Sequence, residues 1–326
     1  MSICYIKWYF GYKNFGDELL LIGLLWYLVE KRWYTRFRIE TKNIERLQER
    51  LHRHATLLPP HIELYLVTPF SWRSLRSDIY VRWGGEVCTD ARKVPYNGRT
   101  YIIKFLIPLL RGRVEVYGGI WTPHRKSTHW LYRLITKYAR HIVCRDEPSY
   151  NIALQYTKKS TRQSTDHIVL YQDFAQDVVK KIIESTDNRP QSLPIDTEDT
   201  SPSWEITPYG LINLTPYLRN QKIQQEIHQL VQQHPDRQWW YISGEAGVDE
   251  KFLLELHLII PDIRVYNWTT KSLHEILGKI AHAQYAYTTR LHITLMCRWL
   301  NIPFTPLAYQ EKVTKMLAAT SPLTQS

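Results

Sequence analysis

The chain has no CxxC pair: Cys4, Cys88, Cys144 and Cys297 are scattered along 326 residues. That spacing excludes a disulfide framework and a cysteine zinc site, and it reads as reduced, buried thiols of a cytosolic protein. No block of five or six consecutive lysines and arginines occurs, nor any zinc-finger or RNA-recognition signature, so nucleic acid is not an expected partner. Paired aspartates and His-x-x-x-His spacings on a helix face are also missing, and a metal-independent chemistry is expected. The opening residues show no apolar stretch followed by a small-residue cleavage site, so no signal peptide is expected. The apolar segment Tyr101 to Leu110 is interrupted by Lys104 and Pro108 and is too short to span a bilayer. The expected location is cytoplasmic, with peripheral contact at the inner face of the membrane left open.

Against these absences stand a hydrophobic fraction of 44% and a charged fraction of 22%, which exclude wholesale disorder. The length suits two domains, each able to bury its own core. There are 12 Trp and 22 Tyr, residues that suit sugar faces and protein interfaces because an apolar plate carries a polar edge. The formal net charge of +11 implies an anionic partner, with phosphorylated metabolites and lipid headgroups both qualifying.

The chain order alternates strands and helices. Ile3 to Phe10 reads as a buried strand, Gly11 to Gly16 as a turn, and Asp17-Glu18 as the acidic start of an apolar helix. This is the first unit of a doubly wound parallel sheet. Ile62 to Val67, Asp78 to Trp83 (running into Gly84-Gly85), Val114 to Tyr117 (into Gly118-Gly119), His141 to Cys144 and Ile168 to Tyr171 are further strands. From Ser185 to Pro208 the composition turns to Ser, Thr, Pro, Asp and Asn, the expected linker. The pattern then resumes with strands at Tyr209 to Leu214, Trp239 to Ile242, Ile263 to Tyr266, Tyr285 to Thr288 and Pro303 to Leu307, separated by helices. The expected organisation is a Rossmann-like α/β domain over 1–185, a linker over 186–208, a second Rossmann-like domain over 209–318 and a disordered tail. The loop-lined sheet edges of the two domains would face each other across a cleft, as in glycosyltransferase-B folds.

Four motifs in order carry a family resemblance. Gly11-Tyr12-Lys13-Asn14-Phe15-Gly16-Asp17-Glu18 resembles the N-terminal GxxNxGDE motif of the polysaccharide pyruvyl transferase family, and Arg145-Asp146-Glu147-Pro148-Ser149 its RDxxS. Thr289-Arg290-Leu291-His292 resembles its TRLH, and Ile302-Pro303 to Tyr309 with Lys312 its C-terminal ending. The sequence departs from the family pattern where Glu86 follows Gly84-Gly85, at Tyr117-Gly118-Gly119-Ile120, and at Asp173-Phe174.

The resemblance implies a transferase that moves the enolpyruvyl unit of phosphoenolpyruvate onto a sugar of a cell-envelope polysaccharide or its lipid-linked precursor. The product would be a cyclic pyruvate ketal, with no cofactor beyond the donor substrate. Such a donor carries a phosphate and a carboxylate, which the planar fork of arginine binds with paired hydrogen bonds. Each step moves a proton, so a group titrating near neutrality is needed. His292 is therefore assigned as general acid and base and Arg290 as donor anchor, both where a strand end opens into a helix. Asn14, Gly16 and Asp17 in the first loop, Gly84 and Gly85, His124, Arg145 and Lys312 are assigned to substrate. Asp17 can equally serve the helix dipole, and Arg145 with Asp146 can equally form a loop-fixing ion pair. His52 and His54 read as solvated helix positions. The competing function is a nucleotide-sugar glycosyltransferase of the same architecture, for which Glu275 and Glu311 are the candidate ribose-holding carboxylates.

Overall fold

The computed structural model describes residues 2–10, 14–69, 77–88, 105–120, 126–144, 146–159, 166–171, 174–185, 209–214 and 221–306. The β-branched and aromatic opening run forms strand β1 (Ile3–Phe10), and helix α1 follows at Phe15–Arg32. Asp17 and Glu18 in its first turn and Lys31 and Arg32 in its last complement the helix dipole. Strand β2 (Arg36–Thr41), helix α2 (Ile44–Arg53), strand β3 (Glu63–Val67) and strand β4 (Ile79–Cys88) come next. Helical residues 105–110 (α3) precede β5 (Val114–Ile120), α4 (Lys126–Tyr138), β6 (His141–Cys144), α5 (Glu147–Lys159), β7 (Ile168–Leu170) and α6 (Phe174–Ser185).

These strands make one parallel sheet in the order β3-β2-β1-β4-β5-β6-β7. The order runs outward from β1 in one direction and then reverses to continue from β4, as in a doubly wound dinucleotide-type sheet. Gly84 and Gly85 lie within β4 and not in a loop beyond it, and Gly84 pairs with Gly118 of β5. At the opposite end of the sheet a buried carboxylate is fully served: Glu115 accepts from Arg32 at 2.5 Å, Tyr34 at 3.0 Å and Tyr117 at 2.7 Å.

The second sheet is built from β8 (Tyr209–Asn213), β9 (Gln238–Ile242), β10 (Arg264–Tyr266), β11 (Tyr285–Thr288) and β12 (Phe304–Pro306). Helices α7 (Gln221–Gln233), α8 (Leu253–Ile259), α9 (Leu273–Ala281) and α10 (Leu291–Trp299) connect them. The order β10-β9-β8-β11-β12 repeats the first sheet's logic, with all pairings parallel and the reversal falling between β8 and β11. All five residues of β8 are buried, as expected for a central strand covered on both faces.

By contacts the chain divides into two compact units. One comprises 1–11, 24–49 and 58–174; the other comprises 12–23, 50–57 and 175–326. The first turns of α1 and the end of α2 thus belong with the C-terminal sheet. The expected linker and tail, 186–208 and 319–326, lie outside the described residues. Among those described, no helix is long and apolar enough to cross a membrane.

Candidate active site

In a doubly wound sheet, ligands bind beyond the carboxyl ends of the strands at the point where strand order reverses. In the second sheet that point lies between β8 and β11. The segment leaving β11 there is Thr289-Arg290-Leu291-His292. Asn213, the last residue of β8, holds it: Thr289 N–H donates to the Asn213 carbonyl at 3.0 Å and Arg290 N–H to its Oδ1 at 2.9 Å. The Asn213 amide donates in turn to the Ile242 carbonyl at the end of β9, at 2.8 Å. Thr294 Oγ1 donates to the Arg290 carbonyl at 3.0 Å and lies 2.6 Å from Thr288 Oγ1. The turn is therefore fixed from three strand ends and from the helix it opens.

Arg290 is the N-cap of α10, with extended backbone and no side-chain cap. Its guanidinium turns instead to Asp249: Nε donates to both carboxylate oxygens, at 3.2 and 3.1 Å, and Nη2 donates to Oδ1. Glu245 Oε2 lies 3.0 Å from the same Nη2. Asp249 is fully buried and also accepts the backbone N–H groups of Gly244 and Glu245, at 2.8 and 3.1 Å. The Tyr241 hydroxyl fixes its backbone by donating to the Asp249 carbonyl at 2.8 Å, and burial, reinforced by Asp249, raises that phenol above its ordinary range. Gly244 is required here, because a Cβ would sit 2.8 Å from Arg290 Cγ.

His292, in the first turn of α10, reaches the first loop. A Cβ added at Gly16 would lie 2.1 Å from His292 Nδ1 and 2.4 Å from its Cγ, so only glycine leaves room for the imidazole. Asn14 closes a tight turn, its Oδ1 accepting from Gly16 N–H at 3.0 Å, and pairs in an isolated antiparallel bridge with Glu245. Phe15 packs edge-on against buried Trp268, whose indole N–H donates to Ser243 Oγ at 3.0 Å. Residues 14–16, 243–249 and 289–292 thus form one packed cluster.

Of the expected site residues, the structure brings together Asn14, Gly16, Arg290 and His292. Asp17 lies beside them in the first turn of α1, and Gly84 and Gly85 sit within β4 of the other unit. His124, Arg145 and Lys312 lie outside the described residues. Glu275 is occupied as the capping-box residue of α9, accepting from Ser272 N–H at 2.7 Å and Ser272 Oγ at 2.8 Å.

One expectation is corrected. His54 is not solvated; it is 1% exposed. The reason is Glu18, buried one residue beyond Asp17, which lies 3.1 Å from His54 Nε2 and takes Arg50 Nη2 at 2.8 Å and Nε at 2.9 Å. Arg50 also donates to the Thr269 and Lys271 carbonyls, at 3.0 and 2.7 Å. Burial alone would raise the Glu18 carboxyl, but the bonds from His54 and Arg50 outweigh it and hold it below its ordinary value. Burial lowers His54, with Glu18 opposing. Sequence reasoning also missed Asp249, Glu245 and Asn213. Gly244-Glu245, a glycine turn directly after a strand, carried the same signal that marked the other loops.

Among the described residues no group of three His, Cys, Asp or Glu is arranged to hold a metal. The sequence model described as polysaccharide pyruvyl transferase matches residues 14–311. The chain belongs to that family. No curated protein sequence is detectably similar. Among solved structures, the UDP-GlcNAc 2-epimerase of Neisseria meningitidis, bound to UDP-GlcNAc, is 11% identical with a TM-score of 0.63, over 98% of this chain and 86% of that one. The UDP-GlcNAc 2-epimerase of Methanocaldococcus jannaschii is 12% identical with a TM-score of 0.59, over 98% and 87%. At these identities the likeness is one of fold. This polysaccharide pyruvyl transferase family member has two Rossmann-like domains of the glycosyltransferase-B-like class.

Proposed function

We propose that the protein transfers the enolpyruvyl group of phosphoenolpyruvate to a saccharide and closes it into a pyruvate ketal. The observation that carries this reading is the seating of His292 against Gly16, next to Arg290 at the opening of α10. An acid–base group, a guanidinium and a helix N-terminus converge there, which suits an anionic donor whose carbon must be protonated.

His292 in its protonated form gives a proton to the donor's methylene carbon, which becomes the methyl group. Positive charge builds at the neighbouring carbon, and one sugar hydroxyl oxygen bonds to it. The carbon–oxygen bond to phosphate breaks, and the second hydroxyl oxygen takes the vacated position. Of the two hydroxyl protons released, one returns to His292 and one leaves with phosphate. Arg290, oriented by Asp249, holds the donor's charge, and Asn14 offers its amide to donor or acceptor oxygen. Lys312, Arg145 and His124 are assigned to donor and acceptor contacts.

Of the two carboxylates the glycosyltransferase alternative would use, Glu275 is spent on capping α9 and Glu311 lies outside the described residues. Incubation with phosphoenolpyruvate and a panel of sugars, read by phosphate release and product mass, tests the reading. Phosphoenolpyruvate should raise the melting temperature and UDP should not. Stabilisation by UDP alone would favour the alternative.

A further inference from the structure

The site contains more negative charge than the proposed function calls for. Arg290 faces Asp249 and Glu245 together, and before His292 takes up its proton the two carboxylates against one guanidinium leave a formal excess of one negative charge. An anion approaching Arg290 meets that excess at close range. One carboxylate must give way before the guanidinium can serve a phosphate or carboxylate from outside.

The two carboxylates are not equally able to do so. The Asp249 side chain is 0% exposed and is tied by Arg290 and by two backbone N–H groups. The Glu245 side chain is 33% exposed, and its carboxylate meets Arg290 in a single contact, 3.0 Å from Oε2 to Nη2. Its backbone stays anchored by the bridge to Asn14, so the carboxylate can leave without moving the first loop. Gly244 precedes the residue and Gly247, with φ 81°, lies two positions after it, so the short loop turns sharply there.

Resting on the reading of Arg290 as the donor's anion anchor, we propose that Glu245 is a built-in competitor for that anchor. It pairs with Arg290 before the donor binds, swings to solvent when the donor's anionic group arrives, and returns when phosphate leaves. It acts through Arg290 and sets donor affinity and product release; it is a positioning residue and not a catalytic one.

The test is calorimetric titration of the full chain at low ionic strength with inorganic phosphate and with phosphoenolpyruvate, for the parent, Glu245→Gln, Glu245→Ala and the double variant Glu245→Gln/Arg290→Gln. Both single variants should bind phosphate about three- to fivefold tighter, the size of a partly exposed ion pair converted to an equilibrium ratio. The gain should vanish in the double variant. In turnover assays KM for phosphoenolpyruvate should fall by a similar factor while kcat stays level or drops, a split that a merely structural role would not produce. Phosphate affinity that is unchanged, weaker or undetectable in Glu245→Gln overturns the proposal, as does a gain that survives loss of Arg290. Tighter phosphate with no phosphoenolpyruvate binding in any variant would sink the pyruvyl transfer reading and leave Glu245's role standing. Phosphoenolpyruvate binding in the parent with no gain in either single variant would do the reverse.

Discussion

Two arginine–carboxylate clusters sit in the same unit of this protein, and they differ in their access to solvent. In the Arg50–Glu18 pair the side chains are 2% and 6% exposed, and the arginine's remaining donors go to backbone carbonyls. In the Arg290 cluster the arginine side chain is 16% exposed and one of its two carboxylates, Glu245, reaches solvent. Both begin from motif residues, Glu18 from the first loop motif and Arg290 from the one after β11. The closed cluster fixes the start of α1 against the segment 269–271, while the open one keeps a charge where a ligand can find it. A charged residue in a family motif is therefore no guide to chemistry until its partners and its access to solvent are known.

The comparison is broken most directly at Arg50. Arg50→Ala leaves Glu18 buried with His54 alone and should cost about 3–5 kcal/mol of stability in urea unfolding. Arg290→Ala leaves Asp249 with its two backbone donors and should cost less, about 1–3 kcal/mol, while abolishing donor binding. Equal losses from the two variants would erase the distinction between a closed and an open cluster.

His292→Ala should lower turnover by about a hundredfold or more with the unfolding midpoint near the parent's. A folded His292→Ala variant with full activity on the true acceptor would remove the imidazole from the mechanism. Gly16→Ala sharpens the same point from the other side of the contact. Its methyl cannot coexist with the ring where it sits, so turnover should drop about ten- to a hundredfold, with a stability cost of about 1–3 kcal/mol. In the His292→Ala background the methyl has room, and the second substitution should add little further loss.

The smallest effect concerns pH. His54 is held neutral in the fold, below its ordinary value of 6.5, by burial. The unfolded chain takes up that proton below about pH 6.5 while the folded chain does not, so stability should be level above that pH and decline beneath it. The slope for one proton is at most about 1.4 kcal/mol per pH unit. Glu18 adds a second decline below 4.5, as the unfolded carboxylate protonates first. Urea midpoints from pH 8 to 4 follow both, and His54→Gln should flatten part of the first. A flat profile between pH 7 and 5 would contradict the burial of a neutral His54.

All strands of the second sheet and all but β2 of the first were legible because parallel strands buried on both faces read as short apolar runs. Ile3–Phe10, His141–Cys144 and Tyr285–Thr288 have the same bounds in sequence and structure. The pair β2 and α2 was not legible. Arg36–Thr41 alternates charged with apolar residues, and α2 is dominated by charge, so neither resembles a core element although Phe37, Ile39 and Arg50 are buried. The residues at the opening of α10 were legible from their motif. Asp249 and Glu245 were not, because an acidic residue after a glycine turn looks like any solvated loop until the arginine it faces is placed; Asn213 was not, because the last residue of a buried strand shows no chemistry until the strand ends it joins are placed. Gly16 is assigned to substrate from its motif alone; the packing of the His292 imidazole into the space its missing side chain leaves joins distant parts of the chain and has no signature in the sequence.

Asn213 carries a consequence of a different kind. One carboxamide joins the ends of β8, β9 and β11 just where each strand hands over to the loop that follows. The three strand ends are thereby held in register by a group that belongs to none of those loops. The loops can lengthen, shorten or change composition over evolutionary time without disturbing where Arg290 and His292 stand. A scaffold of this kind lets a lineage redesign the surrounding surface while Arg290 and His292 keep their places.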